Sequence, residues 1–249
     1  MFAALLLISA LWADDGEFCS VRREASFGQR HLMQSENHLG FRNRGGLMNG
    51  GVCWWHSRFT RNAAFIAKFR PELPRPSRAQ AVKLIHAIRL GQRVVEVPGH
   101  SDLQTFAVDF EHEIQAKLEA WQRYDGFSRG EWRRGIAGRS RISATALERS
   151  MYQLLERVQA GEVVYQKLQL RGIVSHSWLV LGMVPVENGL ELTVWDSNYL
   201  SPQRHVYRQG MTSLFYNGTP FVPYTEYFAE HARLQRVARE HCEQPLSRR

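Results

Sequence analysis

The sequence has only three cysteines in 249 residues, Cys19, Cys53 and Cys242. That is too few for a fold held together by disulfides. It has no phosphate-binding glycine loop, no dinucleotide fingerprint and no His-Glu-x-x-His. Cys53 and His56 stand at a metal-compatible spacing, but no second Cys/His pair accompanies them at zinc spacing. His31, His38, His86, His100 and His112 follow no ligand pattern. A metal or other cofactor is therefore not expected. No apolar run approaches the ~20 residues of a membrane-spanning helix, and no internal repeat is visible. Neither a membrane span nor a nucleic-acid partner is expected.

What is present is ordinary for a globular chain, with 44% apolar and 22% charged residues. The length suits one large domain or two small ones. The net charge is +8, most of it dispersed. One stretch concentrates it: Arg123, Arg129, Arg133, Arg134, Arg139 and Arg141 stand among Gly126, Gly130, Gly135 and Gly138, with Tyr124, Phe127 and Trp132. This reads as a basic loop, either simply solvated or in contact with an anionic polymer such as cell-wall material.

Residues 1–13 form an uncharged apolar run followed by Asp14 and Asp15. The run is read as the hydrophobic part of a secretory signal, cleaved after Ala13, although it lacks a Lys or Arg at its start. The alternative is a buried N-terminal segment. Export implies a secreted or periplasmic chain, where disulfides persist. Cys19 and Cys242 lie near the two ends of the mature chain, and domain ends are often close in space. A Cys19–Cys242 pair is therefore expected.

Residues 14–49 are polar and read as mostly irregular. A helix is expected over residues 53–69, ended by Pro71. Ser77 caps a second helix over 78–90, which Gly91 stops. A short strand follows over 93–97. A third helix runs from Ser101 or Asp102 to residue 121, with Leu103, Phe106, Phe110, Ile114 and Leu118 on one face. A fourth covers 143–160. The character then changes to strands over 162–170, 175–184, 190–196 and 205–208, with a shorter one at 214–216. Glu187-Asn188-Gly189 signals a hairpin turn. A last helix is expected over 225–243. Helices first and antiparallel strands after is an α+β order, with a helical half at about 14–161 and a β half at about 162–224. The whole of 14–249 is read as a single domain.

The chemistry centres on Cys53. Gly45, Gly46, Gly50, Gly51 and Asn49 precede it, and a helix-compatible run follows. A cysteine at a helix N-terminus has its negative form favoured by the helix dipole. Such a nucleophile needs a base, and the base an orienting partner. His176 opens one predicted strand and Asp196 ends the next, 20 residues on. A tight hairpin sets them side by side, so that Asp196 accepts the His176 Nδ1–H and turns Nε2 towards Cys53. Asn198 is the alternative third member. Trp54, Trp55, Trp178 and Trp195 read as core or cleft-wall aromatics.

With Asn49-Gly50-Gly51-Val52-Cys53-Trp54 opening a helix, Ser175-His176-Ser177-Trp178 opening a strand and Trp195-Asp196-Ser197-Asn198 ending another, the chain resembles the papain-like cysteine peptidase superfamily. The order Cys, His, Asp/Asn matches, as does the 123-residue gap from Cys53 to His176. The resemblance implies a helical half carrying the cysteine, a β half carrying the histidine and its partner, and amide-bond chemistry on a peptide or protein. It also implies a glutamine a few residues before the cysteine that helps to stabilise the oxyanion. This chain has none there, the nearest being Gln34, so Asn49 is assigned that role with the Cys53 backbone N–H. The alternatives are a cell-wall peptide amidase, a transglutaminase-like acyl transferase, and a non-catalytic envelope or polymer-binding protein on a degenerate papain-like fold.

Overall fold

The computed structural model describes residues 16–44, 51–131, 138–170, 175–225 and 227–244. The expected signal over residues 1–13 lies outside them. The architecture is mixed helix and sheet. The N-terminal stretch is less irregular than its composition suggests. Residues 16–21 are helical, and helix α1 (Phe27–His31) and a 3-10 turn (Ser35–Asn37) follow.

Helix α2 (Cys53–Ile66) is buried along its entire length. It ends three residues before the expected residue 69, because strand β1 (Ala67–Arg70) takes over. β1 pairs in parallel with β2 (Val95–Pro98). Cross-strand ion pairs help to fix this register: Glu96 lies 3.0 Å from Arg70 and 3.6 Å from Lys68. Tertiary pairing thus overrides local helix propensity; the strand expected over 93–97 is observed as β2, and its partner β1 is the strand the sequence reading lacked.

Helix α3 (Arg78–Leu90) matches its expected bounds, since both of its ends are written in the sequence. Ser77 and Gln80 form a capping box, and Gly91 closes the helix at φ 60°. The expected third helix is instead two, α4 (Leu103–Asp109) and α5 (Glu111–Phe127). The break falls at Phe110, with φ −125°, whose ring packs on His100 and Phe106. α5 then runs past residue 121 into the stretch read as a loop. Helix α6 (Ala144–Gln159) starts at the Ser143 cap.

The main sheet comprises β3 (Val164–Gln169), β4 (Ser175–Val186), β5 (Gly189–Asp196), β6 (Gln203–Arg208), β7 (Leu214–Tyr216) and β8 (Thr219–Thr225). Its order is β6-β5-β4-β3-β8-β7, antiparallel throughout. β8 is absent from the sequence reading, because Pro220 and Pro223 argue against a strand. It nevertheless pairs on both sides, with β3 and with β7. Because β8 extends to Thr225, the last helix, α7, begins at Phe228 and not at residue 225 (Phe228–Glu243). Tyr227, at φ 56°, makes the turn between them.

The sheet is covered on both faces. Leu179 and Leu181 join the α2 core, while Trp178 and Val180 join the α6 core. This alternation along β4 follows from the two-residue period of a strand. No helix among the described residues is long and apolar enough to cross a membrane.

Two features tie the helices together. Arg58 of α2 reaches Asp125 of α5 at 3.3 Å and Glu230 of α7 at 2.7 Å, and Arg61 also pairs with Glu230. Cys19 and Cys242 form the expected disulfide, with Cα atoms 5.5 Å apart. Replacing both cysteines by serine should lower unfolding stability by about 2–5 kcal/mol, because the reduced chain gains the entropy of a very long open loop. A urea midpoint that does not move would contradict this.

Candidate active site

Cys53 is the first residue of α2, and its thiol is free and buried. Backbone N–H groups in the first turn of a helix have no intrahelical acceptor. The sulfur therefore sits at the positive end of a fourteen-residue helix. Gly45, Gly46, Gly50 and Asn49, the expected oxyanion donor, lie outside the described residues, while Gly51 lies within them.

The β4–β5 register pairs Trp178 with Asp196, so Asp196 lies diagonally across from His176. His176 Nε2 bonds Asp196 Oδ1 at 2.7 Å. This corrects the expected Nδ1 contact. Asp196 stands further along the strand than His176, and the distal ring nitrogen is the one that reaches it. The Cys53 thiol lies beside the His176 ring, and its Sγ–H donates to the Ser175 carbonyl at 3.9 Å. With Nε2 engaged, Nδ1 is the nitrogen left for the sulfur.

Burial alone would drive His176 towards its neutral form. The charge and hydrogen bond of Asp196 outweigh burial, the Cys53 contact adds to them, and the ring's pKa is pushed up to about 10. Burial likewise raises Asp196, but His176 and the Asn198 backbone N–H, at 2.8 Å, hold its carboxyl below the usual range. Asn198, the alternative third member, turns elsewhere. Its Nδ2 donates to Tyr216 Oη at 2.8 Å, and its Oδ1 accepts from Asn43 at 2.7 Å. Tyr216 lays its ring 5.3 Å from that of His176.

Two further contacts hold Cys53. Ser177 Oγ donates to the Cys53 carbonyl at 2.8 Å, so consecutive residues of β4 carry His176 and anchor the cysteine backbone. Gln122 of α5 is buried, with Nε2 3.9 Å from Cys53 Sγ. Its Oε1 accepts the Trp55 N–H at 3.4 Å, which orients the amide so that the NH2 end faces the sulfur. Sequence reasoning missed Gln122. The available signal was its position four residues after Leu118 on the apolar stripe of α5, where a polar side chain needs a reason to be buried.

His56 shares the first turns of α2 but has a different task. Its Nε2 bonds the Phe41 carbonyl at 3.0 Å, and burial lowers its pKa to about 4, leaving it a neutral donor. Trp54, Trp55, Trp178 and Trp195 are buried, as expected. Of the basic stretch, Arg123 and Arg129 pair with Glu119 and Asp125, Arg139 and Arg141 are exposed, and Arg133 and Arg134 lie outside the described residues. Neither a protein-family model, nor a curated protein, nor a solved structure matches this chain.

Proposed function

We propose that the protein is a papain-like thiol hydrolase that cleaves amide bonds through an acyl-enzyme on Cys53, with a peptide or protein as substrate. The observation that carries this is the His176–Asp196 hydrogen bond of 2.7 Å beside a buried thiol, Cys53, at a helix N-terminus. The helical half supplies the nucleophile and the antiparallel sheet supplies the base, as the resemblance implies.

In the first step Cys53 Sγ attacks the carbonyl carbon and the C=O electrons move onto oxygen. The resulting oxyanion meets the Cys53 backbone N–H and the Gln122 amide. The C–N bond then breaks, and His176 Nδ1 gives its proton to the leaving amine. Water, deprotonated by His176, opens the thioester and returns Cys53. An amine in place of water would turn the same site into a transferase.

Iodoacetamide tests the nucleophile without knowledge of the substrate. Cys53 should alkylate readily at pH 6, where an isolated thiol of pKa about 8.5 is almost inert. A rate that rises only near that pH would sink the enzyme reading in favour of a binding protein.

Gln122→Ala separates the two steps. It should cut amide hydrolysis by about 10²–10³-fold. Alkylation, which develops no oxyanion, should stay within a few-fold of wild type. Equal losses in both reactions would show that Gln122 only supports the fold.

A further inference from the structure

We propose that Asn43 is a positioning residue that staples the nucleophile to the partner of its base. The inference rests on the acyl-transfer reading above and concerns a residue far from Cys53, His176 and Asp196 in the functional logic of the sequence.

Asn43 makes three directed hydrogen bonds. Its Oδ1 accepts the Val52 N–H at 2.7 Å. Its Nδ2 donates to Asn198 Oδ1 at 2.7 Å. Its own N–H donates to the Ser197 carbonyl at 2.8 Å. Val52 is the residue before Cys53, and Ser197 is the residue after Asp196. One buried side chain thus joins the start of α2 to the turn after β5, across the junction of the helical and β halves.

The geometry leaves little else to do this. Ser177 anchors the Cys53 carbonyl from the sheet side, but it holds nothing of the Asp196 turn. Asn198 passes the connection on, because its N–H bonds Asp196 Oδ1 at 2.8 Å. The path Val52–Asn43–Asn198–Asp196–His176 therefore closes back on Cys53. Both ends of the catalytic set are referred to the same amide. A primary amide suits the task, since it offers an acceptor and a donor at once. Sub-ångström placement of a nucleophile against its base matters, because a 1 Å error can cost about 10²-fold in rate.

The experiment follows Cys53 alkylation by iodoacetamide against pH in wild type, Asn43→Ala, Asn43→Asp and Asn37→Ala. Asn37 is the control, since it lies in the same segment but its side chain donates to the His31 carbonyl, at 2.8 Å, and its N–H to the Gln34 carbonyl, both away from the site. Asn43→Ala should slow alkylation at pH 6 by about 10–100-fold and displace the pH–rate curve towards that of a free thiol. Asn43→Asp keeps the acceptor for Val52 and loses the donor to Asn198, so its rate should fall between the two. Asn37→Ala should follow wild type.

A purely structural Asn43 would lower the urea midpoint and leave the pH–rate curve of the folded protein in place, and that result would overturn the proposal. If Asn43→Ala does not fold, Asn198→Ala cuts the same connection from the other side, and an unshifted curve there would overturn it equally. A wild-type Cys53 that is inert at pH 6 would instead refute the acyl-transfer reading, and the proposal with it.

Discussion

His176→Ala should lower amide hydrolysis by about 10⁴–10⁶-fold, on the scale seen when a base is removed from a catalytic unit. It should also remove the reactivity of Cys53 towards iodoacetamide at pH 6. Both losses have one cause. In the proposed mechanism the imidazolium favours a negative sulfur and gives its proton to the leaving amine. Asp196→Ala should reproduce most of the defect. Burial, which opposes charge on His176, would then act without the carboxylate that now holds its pKa near 10.

The pH dependence has a definite sign. The His176 pKa is raised from an unfolded value of about 6.5 to about 10 in the folded protein. Its contribution to stability is complete below pH 6.5 and is lost as the pH rises towards 10. The alkaline limb of the activity profile should lie in that same upper range in wild type and disappear in His176→Ala. Steady-state rates from pH 5 to 10.5 check this. An alkaline limb near pH 7 would contradict the His176–Asp196 coupling.

Glu230→Leu should destabilise the fold by about 3–5 kcal/mol, the cost of leaving a buried charge without its partner. Glu230 faces three arginines, Arg58, Arg61 and the more exposed Arg233. Arg58 would keep Asp125, but the Arg61 side chain is only 2% exposed and pairs with no other carboxylate among the described residues. Even with Glu230 present, burial holds the Arg61 pKa below its ordinary value. Replacing Arg61 and Glu230 together by apolar side chains of similar volume should recover much of the loss, because the unpaired charge is removed with its partner. Urea denaturation of wild type and the two variants measures both effects. A Glu230→Leu midpoint equal to wild type would show that the cluster adds nothing.

Much of this was legible in the sequence, and the limits have physical causes. α3 was readable to the residue, because Ser77, Gln80 and Gly91 are local signals with local geometry. β8 was hidden, because Pro220 and Pro223 forbid what only a completed sheet makes tolerable. The split of α4 from α5 depends on where the Phe110 ring packs, which no periodicity contains. At the site, Cys53, His176 and Asp196 could be ordered by spacing alone, since two are joined by one hairpin and the third opens a helix. The ring nitrogen that meets Asp196 depended on a diagonal register and could not be read. Gln122 and Asn43 arrive from other elements, so their closeness to Cys53 and Val52 is a product of tertiary packing.

The bond between Cys19 and Cys242 has a topological effect as well as an energetic one. It makes the stretch between them a closed covalent ring that includes Cys53, His176 and Asp196. A single backbone cut anywhere in that ring, for example by trypsin after the exposed Arg139 or Arg141, opens the ring without releasing a piece. The nicked molecule keeps its full mass until it is reduced, and Cys53 and His176 stay in one covalent body. For a protein exposed to proteases, that converts a severing event into a tolerable scar.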